Sequence, residues 1–271
     1  MTLVFSVLCF SIAFAPSLAI FIKLVTHDAL RVILFFLGSF FWLLSILLSG
    51  AIAFVLPSIV PAVFLSALIQ ESARAGYFLL LHRAQRSLAE VATGRFSSLK
   101  TSLAHRHVLA VVCGLGFGVT AALFLLVNVL ADYSGHGVVG LPASVPEIAK
   151  NLPIKLTNED AGFPLSYSLS NSILVLDHIA WNIVLWDACH NRANRLSRNW
   201  MVGAACPVIL HLINNAISLA PDHLRVFIIL SQALVLLLSS AHAYLVVKKP
   251  VQFRGLATFL GVAVAPEMHS D

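Results

Sequence analysis

The sequence predicts an all-α, polytopic membrane protein with seven transmembrane helices, and three observations carry that prediction. Only 11% of its 271 residues are charged and 59% are hydrophobic, with a mean hydropathy of +0.92, whereas soluble domains hold roughly 25% charged residues. Seven segments reach the length of about 20 apolar residues that covers the hydrocarbon core. They are apolar on every side, as at 32–56, while the strands of a closed barrel alternate apolar and polar residues.

The first span, 3–22, contains Ser17-Leu18-Ala19, which has the look of a cleavage site, but no positive region precedes it and Lys23 follows it. It is therefore read as a mature helix rather than a signal peptide. The second span, 32–56, is joined by the short connection 57–60 to the third, 61–81, so these two form a tight hairpin. Residues 82–107 mix Arg83, Arg86, Glu90, Arg95, Lys100 and Arg106 with serines and Gly94. That composition suits a helical continuation that frays into a solvated basic face.

In the fourth span, 108–131, Gly114, Gly118 and Ala122 recur every four residues and lay small side chains along one stripe of a helix. Such a stripe lets another backbone come close, either in a partner or in the chain's own bundle; Gly116 lies off it and adds little. The segment 132–164 is rich in glycine and proline, which favour turns. It carries Asp132, Glu147, Glu159 and Asp160 against Lys150 and Lys155, and reads as an outer loop that meets a partner or merely connects. Spans follow at 165–186, 200–219 and 226–247. A seven-helix domain thus occupies 1–250, and the tail 251–271, without a sustained amphipathic pattern, is expected to be mobile.

Orientation follows from basic residues. On one face fall Lys23, Arg31, Arg83, Arg86, Arg95, Lys100, Arg106, Arg192, Arg195, Arg198, Lys248, Lys249 and Arg254; on the other, Lys150, Lys155 and Arg225. The positive-inside rule puts the N-terminus outside or lumenal and the C-terminus in the cytosol. The net charge of +5 is then mostly topological and gives no reason to expect nucleic acid as a partner. Cys9, Cys113, Cys189 and Cys206 all lie in spans or at the cytosolic end of one, so no disulfide framework is expected. No Asn-x-Ser/Thr tripeptide occurs.

Three spans hold polar groups near mid-depth, where each is costly unless turned toward protein or water. They are Glu71 with Arg74, Asp177 and His178 with Asn182, and His211 with Asn214 and Asn215. At about 1.5 Å per residue, Glu71, His178 and His211 fall at similar depth, and the i, i+3 and i, i+4 partners share a face with them. One reading is a hydrogen-bonded polar core that fixes helix register, with Arg74 neutralising Glu71 or Asp177. The other is a hydrated cavity in which Glu71 acts as general base while the histidines stabilise an oxyanion or hold a metal.

Other chemistries fit less well. An intramembrane aspartyl protease needs two carboxylates sharing a proton, and Asp177 is the only aspartate deep in a span; the His-Glu-x-x-His zinc motif is absent. A seven-span receptor would require Asp-Arg-Tyr after span three and Asn-Pro-x-x-Tyr in span seven, and neither is present. His242 reads as a lone packed or interfacial histidine.

Asp28-Ala29-Leu30-Arg31-Val32-Ile33, Phe40-Phe41-Trp42-Leu43, Leu68-Ile69-Gln70-Glu71, Gly114-Leu115-Gly116-Phe117-Gly118, Asn128-Val129-Leu130-Ala131-Asp132, Gly137-Val138-Val139-Gly140 and Asp187-Ala188-Cys189 run through nearly the whole chain. With His178 and His211, these resemble the anterior-pharynx-defective family, the seven-span subunit of the γ-secretase complex. The resemblance implies a non-catalytic scaffold, without cofactor or metal, that assembles with presenilin, nicastrin and the presenilin enhancer. The complex would cleave type I membrane proteins, with Notch signalling among its outputs, in endoplasmic reticulum, Golgi and plasma membrane. Assembly roles would map to Gly114, Gly118, His178 and His211. The chain departs from the pattern in having Ala122 for a third glycine and a short connection after span two. The fold is also similar to that of prenyl-protein-processing intramembrane proteases, echoed by Glu71, Arg74, His178 and His211 with Asn215, although Gln70 replaces the first of their paired glutamates. That echo gives the alternative expectation of a glutamate- or metal-dependent protease built on Glu71, His178 and His211.

Overall fold

A computed structural model of the chain describes residues 3–54, 58–91, 106–134, 162–193 and 200–259. Among these residues there are seven α-helices and no strand: α1 Leu3–Leu24, α2 Ala29–Ala53, α3 Ile59–Val91, α4 Arg106–Ser134, α5 Gly162–Ala193, α6 Trp200–Ser218 and α7 Arg225–Phe259, the last entered through a 3-10 turn at Asp222–Leu224. The all-α expectation holds. Most of the outer loop (135–161), the basic stretch 92–105 and the end of the tail (260–271) lie outside the described residues.

Six of the helices, all but α3, are long and apolar enough to cross a membrane, and the chain is an integral membrane protein. The third helix is 33 residues long, ample to span, but Gln70, Glu71, Ser72 and Arg74 dilute the apolar character of its middle. It is the exception to seven uniformly apolar spans. As expected, α3 carries its helix on past residue 81, to Val91. The last helix, α7, runs past residue 250 to Phe259.

Capping explains one of the motifs. Asp28 has extended backbone and its carboxylate accepts from the Leu30 amide at 2.9 Å, starting α2. Arg31 pairs with Asp28 at 3.4 Å and donates to the Leu24 carbonyl at 2.9 Å, satisfying one of the last carbonyls of α1. The α1–α2 corner is thus fixed by one acid and one base.

The bundle is organised around α5, which packs on α1, α3, α4, α6 and α7. Its closest companion is α4, whose other face lies on α2. Phe35, Trp42, Tyr77, Leu115, Phe117 and Trp186 fill the core between these helices. Outward, α1, α2 and α7 present Val4, Leu18, Phe36, Leu47, Leu230 and Leu237, the side chains expected where helices face lipid. Lipid tails are as apolar as these residues, so what holds the helices together is close packing and interhelical hydrogen bonding.

Candidate functional site

The three polar groups converge as their depths predict. Glu71 of α3 is 4% exposed, Arg74 0%, His178 of α5 1% and His211 of α6 2%. Arg74 Nη1 donates to Glu71 Oε1 at 2.7 Å, and His211 Nδ1 lies 2.7 Å from the same oxygen. Arg74 Nη2 meets His178 Nδ1. One guanidinium and one carboxylate therefore tie α3 to α5 and α6 in the middle of the bundle.

The tautomers follow from the partners. Guanidinium only donates, so His178 Nδ1 must accept and its proton must sit on Nε2. Carboxylate only accepts, so His211 Nδ1 must carry a proton. Aromatic rings close the site: His211 stacks on Trp181 with centroids 4.6 Å apart, the two histidine rings stand 5.6 Å apart at 84°, and Arg74 lies 5.0 Å from the Phe117 centroid. A cation over an aromatic face gains further stabilisation where water is excluded.

Not every expected member joins. Arg74 serves Glu71 and not Asp177, which lies on another side of α5. Asp177 is 0% exposed and neither carboxylate oxygen makes a hydrogen bond; its neighbour is Ser239 of α7, which also accepts from Trp181 Nε1 at 2.9 Å. Asn182, expected to share the face of His178, instead donates to the Ala110 carbonyl of α4 at 2.6 Å. Asn215 reaches the Val63 carbonyl of α3 at 3.4 Å, and Asn214, 3% exposed, keeps its Oδ1 without a partner. Those two sit one turn beyond His211 at a cavity rather than in the cluster. His242 is not alone: its Nδ1 is 3.1 Å from Cys206 Sγ of α6.

The small-residue stripe of α4 is filled by α5 of the same chain. A β-carbon on Gly114 would lie 2.8 Å from the Ile179 Cα and 2.9 Å from the Asn182 Cβ. Ala122 is fully buried. Of the two surfaces such a stripe can meet, it meets its own bundle, so α4 does not offer this face to a partner. Gly116 matters more than its place off the stripe suggested. Its missing side chain admits the Phe35 carbonyl of α2, and a β-carbon on Gly38 would lie 2.7 Å from the Cys113 carbonyl. Glycines thus give α4 two close faces, with Ser39 Oγ bonded to the Gly116 carbonyl at 3.2 Å on the second.

Sequence reasoning missed Tyr77. It is fully buried, donates to the Leu34 carbonyl at 2.9 Å and receives the Cys113 thiol at 3.1 Å, linking α2, α3 and α4. The available signal was a tyrosine six residues after Glu71 in an otherwise apolar stretch.

Similarity to known proteins bears on this arrangement. A family model described as "Aph-1 protein" matches residues 4–250. The chain is 37% identical over 246 residues, 88% of itself and 78% of the relative, to the gamma-secretase subunit aph-1 of Caenorhabditis elegans. It is 31% identical over 228 residues, 79% of itself and 78% of the relative, to gamma-secretase subunit Aph-1b of Danio rerio. To gamma-secretase subunit APH-1B of Homo sapiens it is 30% identical over 197 residues, 68% of each chain.

Proposed function

The chain belongs to the Aph-1 family, and from that premise we propose that it is the non-catalytic scaffold subunit of a γ-secretase, assembling with presenilin, nicastrin and the presenilin enhancer. Bond cleavage is presenilin's task in this reading, and the type I membrane substrates, Notch among them, meet this chain only through the complex. In this reading the scaffold crosses the bilayer seven times, α3 included, with its N-terminus lumenal and its C-terminus cytosolic, an orientation favoured by the 13 basic residues on one face against 3 on the other. It resides in endoplasmic reticulum, Golgi and plasma membrane.

The observation that supports a structural role most directly is Arg74 standing inside the Glu71, His178 and His211 group. Glu71 Oε1 already accepts from two donors, and a guanidinium lies against His178 where a metal would need an unobstructed imidazole. A glutamate- or metal-dependent protease would leave these groups turned to a substrate. The cluster instead ties three helices into one register. Gly114, Gly118 and Ala122 then support assembly from within, by keeping α4 and α5 together, and His178 and His211 by holding α5 and α6 on α3.

Purification of the tagged chain in mild detergent tests the proposal. Presenilin, nicastrin and the presenilin enhancer should come with it in stoichiometric amounts, and the chain freed of them should cleave no peptide. A chain that emerges without companions, or that hydrolyses substrate alone in a Glu71-dependent way, overturns it.

A further inference from the structure

We infer that the cavity bounded by α3, α4, α5, α6 and α7 binds a neutral, hydroxyl-bearing ligand, the polyol head of an uncharged lipid or a free polyol of the same chemistry. The cavity has a volume of about 290 Å³ and lies where the N-termini of α3 and α5 meet the C-terminus of α6. At about 30 Å³ per water molecule it is far larger than a single bridging water needs. Ser66, Tyr167, Ser170, Asn214, Ser218 and Gln232 give it a polar wall, and Leu125 and Leu174 an apolar one.

The polar wall forms a chain that ends on an empty acceptor. Ser170 donates to Gln232 Oε1, Gln232 Nε2 donates to Ser218 Oγ at 3.3 Å, and Ser218 donates to the Asn214 main-chain carbonyl at 2.9 Å. The Asn214 side-chain Oδ1, on a residue 97% buried, accepts from nothing. A buried amide oxygen calls for a donor. None of the lining residues is charged, so an ionic group would enter without a counter-charge, at a cost that membrane interiors do not tolerate. A hydroxyl meets both demands, donating to Asn214 while accepting from the Ser66 hydroxyl, whose oxygen accepts from Gln70 Nε2. Leu125 of α4, 37% exposed, supplies the apolar edge against which an acyl chain can lie. The site is separate from the assembly reading, since it needs no second protein.

The full chain in phosphatidylcholine nanodiscs, irradiated with a photoactivatable diacylglycerol, tests the site. Cross-links should map to 165–176 of α5 and 213–219 of α6, and excess unlabelled diacylglycerol should remove them while phosphatidic acid should not. If excess glycerol also removes them, the ligand is the free polyol; if it does not, the lipid head is the ligand. Asn214→Leu should weaken labelling about fivefold, the size expected for one lost hydrogen bond. Leu125→Trp should block it by filling the apolar edge without touching the polar chain, and both variants should elute from size exclusion as the parent does. Labelling spread along lipid-facing residues, unchanged in both variants, or competed equally by phosphatidic acid, overturns the inference and leaves a cavity filled by water.

Discussion

Gly118 of α4 and Val175 of α5 approach so closely that a β-carbon on the glycine would lie 2.8 Å from the Val175 Cα and 2.9 Å from its carbonyl oxygen. The same β-carbon would lie 3.1 Å from the Cβ of His178. Neither backbone atom can swing aside as a flexible side chain could, so the contact couples the spacing of two helices to the position of a buried histidine.

Gly118→Ala should therefore destabilise the chain by about 1–3 kcal/mol, the usual cost of overpacking, and Gly116→Ala should do so comparably against α2. Gly50 has nothing within 4 Å of a would-be β-carbon, so Gly50→Ala should be neutral or stabilising by roughly 0.5–1 kcal/mol. Thermal unfolding of the purified variants in detergent distinguishes these outcomes, and equal loss at all three positions would refute the two-faced packing of α4.

Arg74→Met leaves Glu71 buried beside a lone histidine donor. Breaking a buried pair by removing one partner costs about 3–5 kcal/mol. Arg74→Met combined with Glu71→Gln should recover much of that loss, because the uncompensated charge goes too. A double-mutant cycle on unfolding free energy reads the coupling, and strictly additive losses would show that the two side chains act independently.

The opposite roles of the two histidine Nδ1 atoms give a further test. Asparagine places an amide near Nδ1, able to accept at 178 and to donate at 211. His178→Asn and His211→Asn should each retain more stability and more partner recovery than the alanine variants, by about 1 kcal/mol for the one hydrogen bond preserved. Loss identical to alanine at both positions would mean that ring packing on Trp181 and Phe117, and not polarity, is what the histidines supply.

Asp177 behaves differently from Glu71, since both its oxygens lack a hydrogen bond. Asp177→Leu, apolar and of similar shape, should leave stability unchanged or raise it by about 1–3 kcal/mol, the range for removing an unsatisfied buried group. A marked drop in melting temperature would point to a donor for this carboxylate that the folded chain keeps elsewhere.

Much of this arrangement was legible in the sequence, for identifiable reasons. Apolar runs of membrane length define helices with little ambiguity, and a fixed rise per residue put Glu71, His178 and His211 at one depth. Azimuth was harder. The spacing of His178 and Asn182 says only that they share a face, and that face is wide enough for one to point at α3 and the other at α4. Likewise the four-residue repeat of Gly114, Gly118 and Ala122 announces a close neighbour without naming it, and Gly116 was discounted because a single stripe was sought where α4 has two. Tyr77 escaped notice because its partners, the Leu34 carbonyl and the Cys113 thiol, lie far off in the chain.

The Glu71–Arg74 pair lies within one helix, three residues apart, and this bears on how the chain is made. In the seven-span reading proposed above, α3 enters lipid ahead of α5 and α6, which follow it in the chain and carry His178 and His211. A carboxylate or a guanidinium alone would resist that transfer, whereas a segment whose two opposite charges already face each other on successive turns arrives electrically balanced. The least greasy helix can thus partition early, and the later helices dock onto a bond that is already in place.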